Sequence, residues 1–291
     1  MARISRLPAT HGAEMNSGAR NQLRWFYVPG LAVFLAFVLI PASLTLLHSF
    51  TARAADGSIH LTTQHYRFFL TDPEGVASFK MNLIYLALTL VSEVGLGLGL
   101  ALLLQKDSKL NLWVRLACFS PGVLSLVVIG LLFGFMFKDG IGMFPGWLQE
   151  GRAIFTISAV SGWAYCGSYM FIFLAGLSGI SPSLLEAAQL DGCSRWAIIR
   201  RIQLPLLKPS LEAAVVICAT GAFKAFDLFW VMLANQDHTS IVGTLIMREM
   251  FRFENREYAC ALATLLGLCV CLLSMLALWW KQRNDVQEVM L

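Results

Sequence analysis

Three charged side chains lie in the interior of long apolar runs of this sequence: Glu93, Lys224 and Asp227. A charged group at the centre of a bilayer costs about 2.5–3.5 kcal/mol on insertion scales, so each is a functional candidate. Lys224 and Asp227 are three residues apart and would be neighbours on one continuous helix. Two interpretations of this pair stay open: the charges neutralise each other inside a helix bundle, or they bind a polar ligand.

Aromatic residues accompany these charges. Aromatic rings stack against the C–H face of a sugar, and an acid accepts hydrogen bonds from its hydroxyls. Aromatic side chains in apolar runs also pack together or face lipid, and both interpretations stay open. The candidates for a ligand path are Trp163, Tyr165, Tyr169, Phe223, Lys224, Asp227 and Trp230.

Glu93 is accompanied by Gly95, Gly97 and Gly99. The Gly95–Gly99 pair has the small-xxx-small spacing that allows two helices to approach closely. We therefore expect a packing role here, with Glu93 hydrogen-bonded across a helix interface. The sequence has no CxxC spacing, no clustered histidines and no nucleophile paired with a base, so it predicts neither a metal site nor an enzyme.

The elements that must position these residues are long apolar helices. The chain is 57% hydrophobic and only 14% charged, whereas a soluble domain has about 25% charged residues. Six runs approach the roughly 20 apolar residues that span a bilayer. They are Trp25–Leu47, Leu83–Leu104, Leu116–Phe137, Ile154–Leu177, Leu211–Leu233 and Tyr258–Trp280. The composition predicts an all-α polytopic membrane protein with six transmembrane helices, the first an uncleaved span rather than a signal peptide.

Charge asymmetry predicts the orientation. Lys and Arg are more frequent in the tails and in the loops that share their side of the membrane, which indicates cytoplasmic termini. We expect a cytoplasmic tail at residues 1–24, a membrane domain at 25–280 and a second cytoplasmic tail at 281–291. The net charge of +4 follows from this asymmetry and gives no reason to expect nucleic-acid binding.

The stretch "LLEAAQLDGCSRWAIIRRIQLPLLKP", residues 184–209, is amphipathic and lies between the fourth and fifth predicted spans. A first helix begins either with Ser181 as its cap or with a Ser183–Glu186 capping box, and it ends at Asp191-Gly192. A second helix begins after Ser194 and ends at Leu204-Pro205. Two interpretations stay open for this cytoplasmic stretch: an interfacial linker at the lipid headgroups, or a protrusion to which another protein docks.

The stretch closely resembles the EAA loop of binding-protein-dependent ABC transporter permeases, and residues 184–209 are called the EAA loop from here on. The family pattern matches at Glu186, Ala187, Ala188, Gly192, Ile202, Leu204 and Pro205. The Asp191-Gly192 pair resembles the carbohydrate-uptake branch. The resemblance extends over about residues 25–280, but Asn235-Gln236-Asp237 replaces the usual Gly-Gly-Pro after span five.

The resemblance implies an importer in the inner (plasma) membrane, in contact with lipid, for a sugar, oligosaccharide or related polyol. It implies a second homologous permease, two cytoplasmic ABC ATPases and an extracytoplasmic solute-binding protein as partners. No lysine follows a glycine, which excludes a P-loop, so no cofactor is expected in this chain, and ATP and Mg²⁺ belong to the ATPases. The resemblance assigns ATPase coupling to Glu186, Ala187, Ala188, Asp191, Gly192, Leu204 and Pro205.

Two alternatives stay open for the function. One is an ABC importer for a non-sugar solute, such as a phosphate ester or a polyamine. The other is an ion-coupled secondary transporter, in which Glu93, Lys224 and Asp227 would relay the ion but the EAA loop would have no purpose.

Overall fold

The computed structural model describes residues 27–53, 58–233 and 239–289, with side chains to residue 279. The predicted N-terminal tail and Asn235-Gln236-Asp237 lie outside these ranges. The chain divides into two compact units, residues 1–47 and 48–291. The first contains most of the first helix, and the second contains the other elements described below.

Twelve helices and one short β-hairpin cover the described residues. The helices are α1 Tyr27–Ser49, α2 Gln64–Thr71, α3 Pro73–Leu104, α4 Lys109–Phe119, α5 Leu126–Met136, α6 Ala153–Ser178, α7 Pro182–Leu190, α8 Arg195–Leu206, α9 Lys208–Lys224, α10 Asp227–Leu233, α11 Val242–Phe251 and α12 Arg256–Val289. Strands β1 Thr51–Arg53 and β2 Ile59–Leu61 pair antiparallel. The prediction of an all-α polytopic membrane fold is confirmed, with this hairpin as a small addition.

Four of the described helices are long and apolar enough to cross a membrane: α1, α3, α6 and the Arg256–Trp279 part of α12. Two further candidates are bent pairs. α4, extended by a 3-10 turn to Val123, meets α5 at 93°, and α8 meets α9 at 67°. The described residues therefore hold up to six spans if each bent pair counts as one, and the number six stays a prediction.

Helix α3 begins ten residues before the predicted span. Asp72 caps it by accepting hydrogen bonds from the backbone N–H groups of Glu74 and Gly75, both at 3.1 Å, and Pro73 supplies a first residue that needs no N–H partner. A π-helical turn at Leu90–Gly95 interrupts the middle of α3. Such a turn shifts the side chains that follow it around the helix axis, and it contains Glu93.

Helix α6 lies at the centre of the bundle, because 61% of its most apolar 18-residue segment is buried. The corresponding buried share is 28% for α3 and 11% for α12. Small residues allow this close packing. A Cβ added at Gly162 would lie 2.6 Å from the Cβ of Ser92 on α3. A Cβ added at Gly97 would lie 2.6 Å from the Cβ of Tyr169.

Within the described part of this chain, the Gly95–Gly99 pair does not make the predicted helix contact. A Cβ added at Gly99 would meet nothing within 4 Å, and one at Gly95 would meet only the Leu90 carbonyl of its own helix, at 3.6 Å. Gly97 makes the contact between α3 and α6. The spacing rule identifies glycines that could share a face, but it does not identify the face that packs.

A buried asparagine in the first half of α3 joins three elements. Asn82 is fully buried, and its side-chain N–H₂ group donates to the Ala222 carbonyl of α9 at 3.1 Å. Its side-chain oxygen accepts from the Val242 N–H at the start of α11, at 2.8 Å. Both amide groups thus satisfy backbone groups that would otherwise be buried without partners.

Candidate functional site

The EAA loop forms two helices joined by a left-handed turn. Helix α7 begins at Pro182 after Ser181, the position of the first predicted start, but the Ser181 hydroxyl makes no capping hydrogen bond and lies 2.7 Å from the Ser183 hydroxyl instead. The Ser183–Glu186 capping box does not form. Gly192 has φ +76°, a conformation that costs a residue with a β-carbon about 1–2 kcal/mol. The Ser194 hydroxyl then caps α8 by accepting from the Ala197 N–H at 3.3 Å. The predicted helix–turn–helix is confirmed.

The second helix ends one residue after the predicted Leu204-Pro205 end. Helix α8 continues to Leu206, and the bend into α9 lies at Leu207. A π-helical turn at Ile199–Gln203 precedes Pro205, with the Leu204 N–H bonded to the Ile199 carbonyl. The helix is already widened there, and it passes through the proline without ending.

The EAA loop is fixed to the bundle on one side and exposed on the other. Ile198 and Leu207 are buried, and the Gln203 side chain donates to the Gln105 side chain at the end of α3, at 2.7 Å. Leu190 is 89% exposed and Trp196 is 67% exposed. This side therefore exposes two large apolar side chains.

Each coupling candidate has a definite place in this arrangement. Ala188 is buried against the bundle, whereas Glu186 and Ala187 face outward on α7. Asp191 and Gly192 form the exposed turn, Pro205 is exposed and Leu204 is partly buried. Some of these seven residues thus lie on the exposed surface of the EAA loop, and the others lie where the loop packs against the bundle.

A cavity of about 440 Å³ lies between the π-turn of α3, one face of α6 and the junction of α9 with α10. Four of the seven predicted ligand-path residues line it: Tyr165, Tyr169, Lys224 and Asp227. Its other polar or aromatic lining residues are Tyr85, Glu93, Ser161, Ser168, Cys218 and Phe226. Hydroxyls, carboxyls, an amine and rings line this cavity together with apolar side chains, and we call it the polar cavity.

The other three predicted residues do not line this cavity. Trp163 lies on the opposite face of α6, Phe223 is buried with its ring centre 6.1 Å from that of Phe79, and Trp230 is 39% exposed on α10. Phe223 would share a helix face with Asp227 only if the helix were continuous, but the chain is extended at Ala225, with φ −63° and ψ 135°. Trp230 lies on α10 together with Asp227, so this break does not explain its position outside the cavity.

The same break corrects the predicted Lys224–Asp227 pair. Lys224 is the last residue of α9 and Asp227 is the first residue of α10, so they are not neighbours on one helix. The ion pairs among the described side chains do not include these two residues. Both instead line the polar cavity, where their charged groups are available to a ligand.

Glu93 belongs to a hydrogen-bond chain that crosses from α3 to α6. The Tyr85 hydroxyl donates to the Ser161 hydroxyl at 3.1 Å, and Ser161 donates to one Glu93 carboxyl oxygen at 2.6 Å. The other carboxyl oxygen lies 3.8 Å from the Cys218 sulfur. The expectation that Glu93 bonds across a helix interface is confirmed, but the residue also lines the cavity.

Tyr85 is one of the lining residues that the sequence analysis did not name as candidates. Its signal was a tyrosine within the apolar run 83–104, about two helical turns before Glu93. Elsewhere in the described part of the chain, no three His, Cys, Asp or Glu side chains come together as metal ligands. The polar cavity and the EAA loop are therefore the two candidate sites.

The family described as "Binding-protein-dependent transport system inner membrane component" matches residues 93–285. The chain belongs to this family. The match includes the EAA loop and most of the cavity lining. This binding-protein-dependent permease is accordingly a multi-pass membrane component of an ABC importer and not an enzyme.

Relatives match this permease over most of their length. The osmoprotective compounds uptake permease protein GgtC of Synechocystis sp. is 27% identical, over 84% of this chain and 93% of GgtC. The arabinooligosaccharides transport system permease protein AraP of Bacillus subtilis is 26% identical, over 87% of this chain and 86% of AraP.

One solved structure has the same fold. It is a bacterial ABC transporter involved in the import of the acidic polysaccharide alginate, and the permease matches one of its chains with a TM-score of 0.79. The match covers 91% of this chain and 96% of that chain at 20% sequence identity.

Proposed function

We propose that this permease forms half of the pathway for a sugar, oligosaccharide or related polyol that an extracytoplasmic binding protein delivers. The polar cavity is the observation that carries the proposal. The second half of the pathway belongs to a homologous permease, and two cytoplasmic ATPases with bound ATP and Mg²⁺ supply the energy.

The chemistry of the cavity favours a polyhydroxylated cargo. Glu93 and Asp227 accept hydrogen bonds from hydroxyls, Lys224 donates to them, and the rings of Tyr165 and Tyr169 offer stacking surfaces. A phosphate ester would meet two carboxyl groups and one amine, so the charges disfavour it. A polyamine would meet the Lys224 amine together with the same two carboxyl groups, so the charges alone do not separate it from a sugar. The names of AraP and the alginate importer support a carbohydrate cargo as well.

The EAA loop supports the proposed energy coupling. Its exposed surface contains Glu186, Ala187 and the Asp191-Gly192 turn, while Ala188 and the bend at Leu207 attach it to the bundle. A rigid helix docked in an ATPase groove would transmit closure of the ATPases to α9 as a rigid-body movement.

The distribution of charge supports cytoplasmic termini. The Arg115 guanidinium donates to the carbonyls at the end of α3, at 2.5 Å to Leu104 and 3.2 Å to Lys106, close to where Gln105 meets the EAA loop. Lys109, Arg195 and Lys208 lie in neighbouring segments. A basic end of the bundle is expected on the cytoplasmic side.

Reconstitution of the complete transporter in vesicles tests the proposal. The replacement of Asp227 by asparagine together with Tyr165 by alanine should reduce sugar uptake at least tenfold, since about 1.4 kcal/mol of lost binding is already tenfold. Stimulation of ATP hydrolysis by the loaded binding protein should remain. Trp230→Phe, outside the cavity, is the matched control.

Gly192 tests the coupling part separately. Gly192→Val should abolish the stimulation of ATP hydrolysis, because valine resists a positive φ, whereas Gly192→Asn should retain most of it. Uptake driven by an ion gradient without the ATPases would refute the proposal. Equal effects of valine and asparagine would refute the role assigned to the turn.

A further inference from the structure

A second cavity, of about 630 Å³, lies on the other face of α6. It is lined by Phe133, Phe137, Trp147, Arg152, Phe155, Thr156, Ala159, Val160 and Trp163. Its α6 residues recur at three- and four-residue steps, so they share one helix face, and Tyr165 and Ser168 of the polar cavity lie about half a turn away. We call this second cavity the aromatic groove.

Four aromatic rings form a continuous row along the groove. The Trp163 and Phe133 ring centres are 5.4 Å apart, those of Phe133 and Phe137 are 5.9 Å apart, and those of Phe137 and Trp147 are 6.2 Å apart. The row leads from the middle of α6 to the loop before its first residue. At that end, the Arg152 side chain lines the groove and is exposed.

The length of the groove matches one leaflet of a bilayer. Arg152 and Trp163 are separated along α6 by about 16 Å at 1.5 Å per residue. One leaflet contributes about 15 Å, half of the roughly 30 Å hydrocarbon thickness. Arg152 therefore lies at headgroup depth and Trp163 near the bilayer centre, in the leaflet opposite the EAA loop.

The groove offers little to a sugar. Thr156 is one of its few polar side chains, and its hydroxyl already donates to the Trp147 carbonyl at 2.8 Å. Apart from the two indole N–H groups, Arg152 is the polar group that remains available. None of the ion pairs among the described side chains includes Arg152. A cation at one end of an apolar channel complements a phosphate that carries an acyl chain.

We propose that the aromatic groove is a binding site for one phospholipid, with its phosphate against Arg152 and one acyl chain along the row from Trp147 to Trp163. The site is distinct from the polar cavity and does not depend on the identity of the cargo. The bound chain covers ring surface that is otherwise open, since Phe155, Trp147 and Trp163 are 57%, 53% and 47% exposed.

Photo-labelling of the complete transporter tests the site. The transporter is placed in phosphatidylcholine vesicles that contain a phosphatidylcholine with a diazirine in the middle of one acyl chain, and the labelled peptides are identified by mass spectrometry. We expect adducts concentrated on residues 155–163. Ala159→Trp, which fills the groove, should reduce them at least fivefold, and Arg152→Gln should reduce them about fivefold.

Two controls separate this site from general contact with lipid. Gly267→Trp adds the same bulk at an exposed position of α12, where an added Cβ meets nothing within 4 Å, and it should leave the groove adducts unchanged. A diazirine diacylglycerol, which has no phosphate, should label the groove about fivefold less than the phospholipid, and this difference should disappear in Arg152→Gln.

Three results would overturn the proposal. Unchanged labelling in both Ala159→Trp and Arg152→Gln would show that lipid does not occupy the groove. Equal labelling of all exposed helices would leave only general lipid contact. Cross-links from Phe155 or Trp163 to the second permease would assign the groove to a protein interface.

Discussion

Replacement of Gly97 by alanine tests how tightly α3 is held against α6. The added Cβ would lie 2.6 Å from the Cβ of Tyr169 and 3.0 Å from both the Cys166 carbonyl oxygen and the Met170 nitrogen. Carbon atoms that are not bonded prefer about 3.5–4.0 Å. The two helices must therefore separate by about 1 Å, because two of the three obstructing atoms belong to the backbone of α6.

The expected cost follows from this overlap. An extra methyl group in a packed interior costs about 1–3 kcal/mol. For a chain of this size, each kcal/mol lowers the unfolding midpoint by about 2–4 °C, so Gly97→Ala should lower it by about 2–12 °C. Sugar uptake should fall too, because Tyr169 lines the polar cavity and must move with α6.

Gly99→Ala is the matched control on the same helix. An added Cβ at Gly99 meets nothing within 4 Å, and alanine favours a helix over glycine by about 1 kcal/mol. We expect an unchanged or higher midpoint and normal uptake. Both variants would be measured by thermal unfolding of the purified transporter in the same detergent, at one scan rate.

The result that refutes this reasoning is a midpoint that falls equally in both variants, or one that falls only in Gly99→Ala. In either case, the contact between α3 and α6 would not depend on the face that contains Gly97, and the spacing-based Gly95–Gly99 interpretation would regain support.

Two further predictions concern polar groups. Asn82→Leu leaves the Ala222 carbonyl and the Val242 N–H buried without partners and should destabilise the permease by about 2–4 kcal/mol. Asn82→Asp should cost less only at a pH where the acid is protonated, because it can then donate to Ala222 and accept from Val242, whereas a buried carboxylate would face the Ala222 carbonyl; chemical denaturation compares them. Burial raises the pKa of Glu249 above its usual range, although Asn255 donates a hydrogen bond to its carboxyl group. The contribution of Glu249 to the stability of the wild type is therefore fully present below the pKa of the unfolded state, and it is lost as the pH rises through the pKa of the folded state. Glu249→Gln should therefore raise the unfolding midpoint at pH 8 but not at pH 4, and a gain that is equal at both pH values would contradict this.

Hydropathy predicted where the chain is helical but not where helices break. The runs Leu83–Leu104 and Ile154–Leu177 appear within α3 and α6. The break at Ala225 was missed because neither proline nor glycine marks it. The break lies between Lys224 and Asp227, which both line the polar cavity, and non-helical backbone is tolerated beside such a cavity. Only the tertiary structure shows that the cavity is there.

Turns and helix caps were predicted more reliably than the faces of helices that contact the cavity. Gly192 and Ser194 have the turn and cap roles that their types indicate. Trp163 was assigned to the ligand path together with Tyr165. Residues two positions apart on a helix point in directions about 200° apart, so these two side chains lie on nearly opposite faces of α6. Which of two such residues faces the cavity depends on the neighbours of α6, and the sequence of α6 alone does not state them.

Helix α9 lies between two interruptions of helical structure, the bend at Leu207 and the break at Ala225. Helix α9 is about 26 Å long at 1.5 Å per residue. A rotation of about 10° at Leu207 would therefore move Lys224 by about 4 Å. Beyond the break at Ala225, α10 packs against α5, with Val231 beside Gly130. A rigid-body rotation of α9 about Leu207 would therefore displace the side of the polar cavity that Lys224 lines, while α10 stays packed against α5.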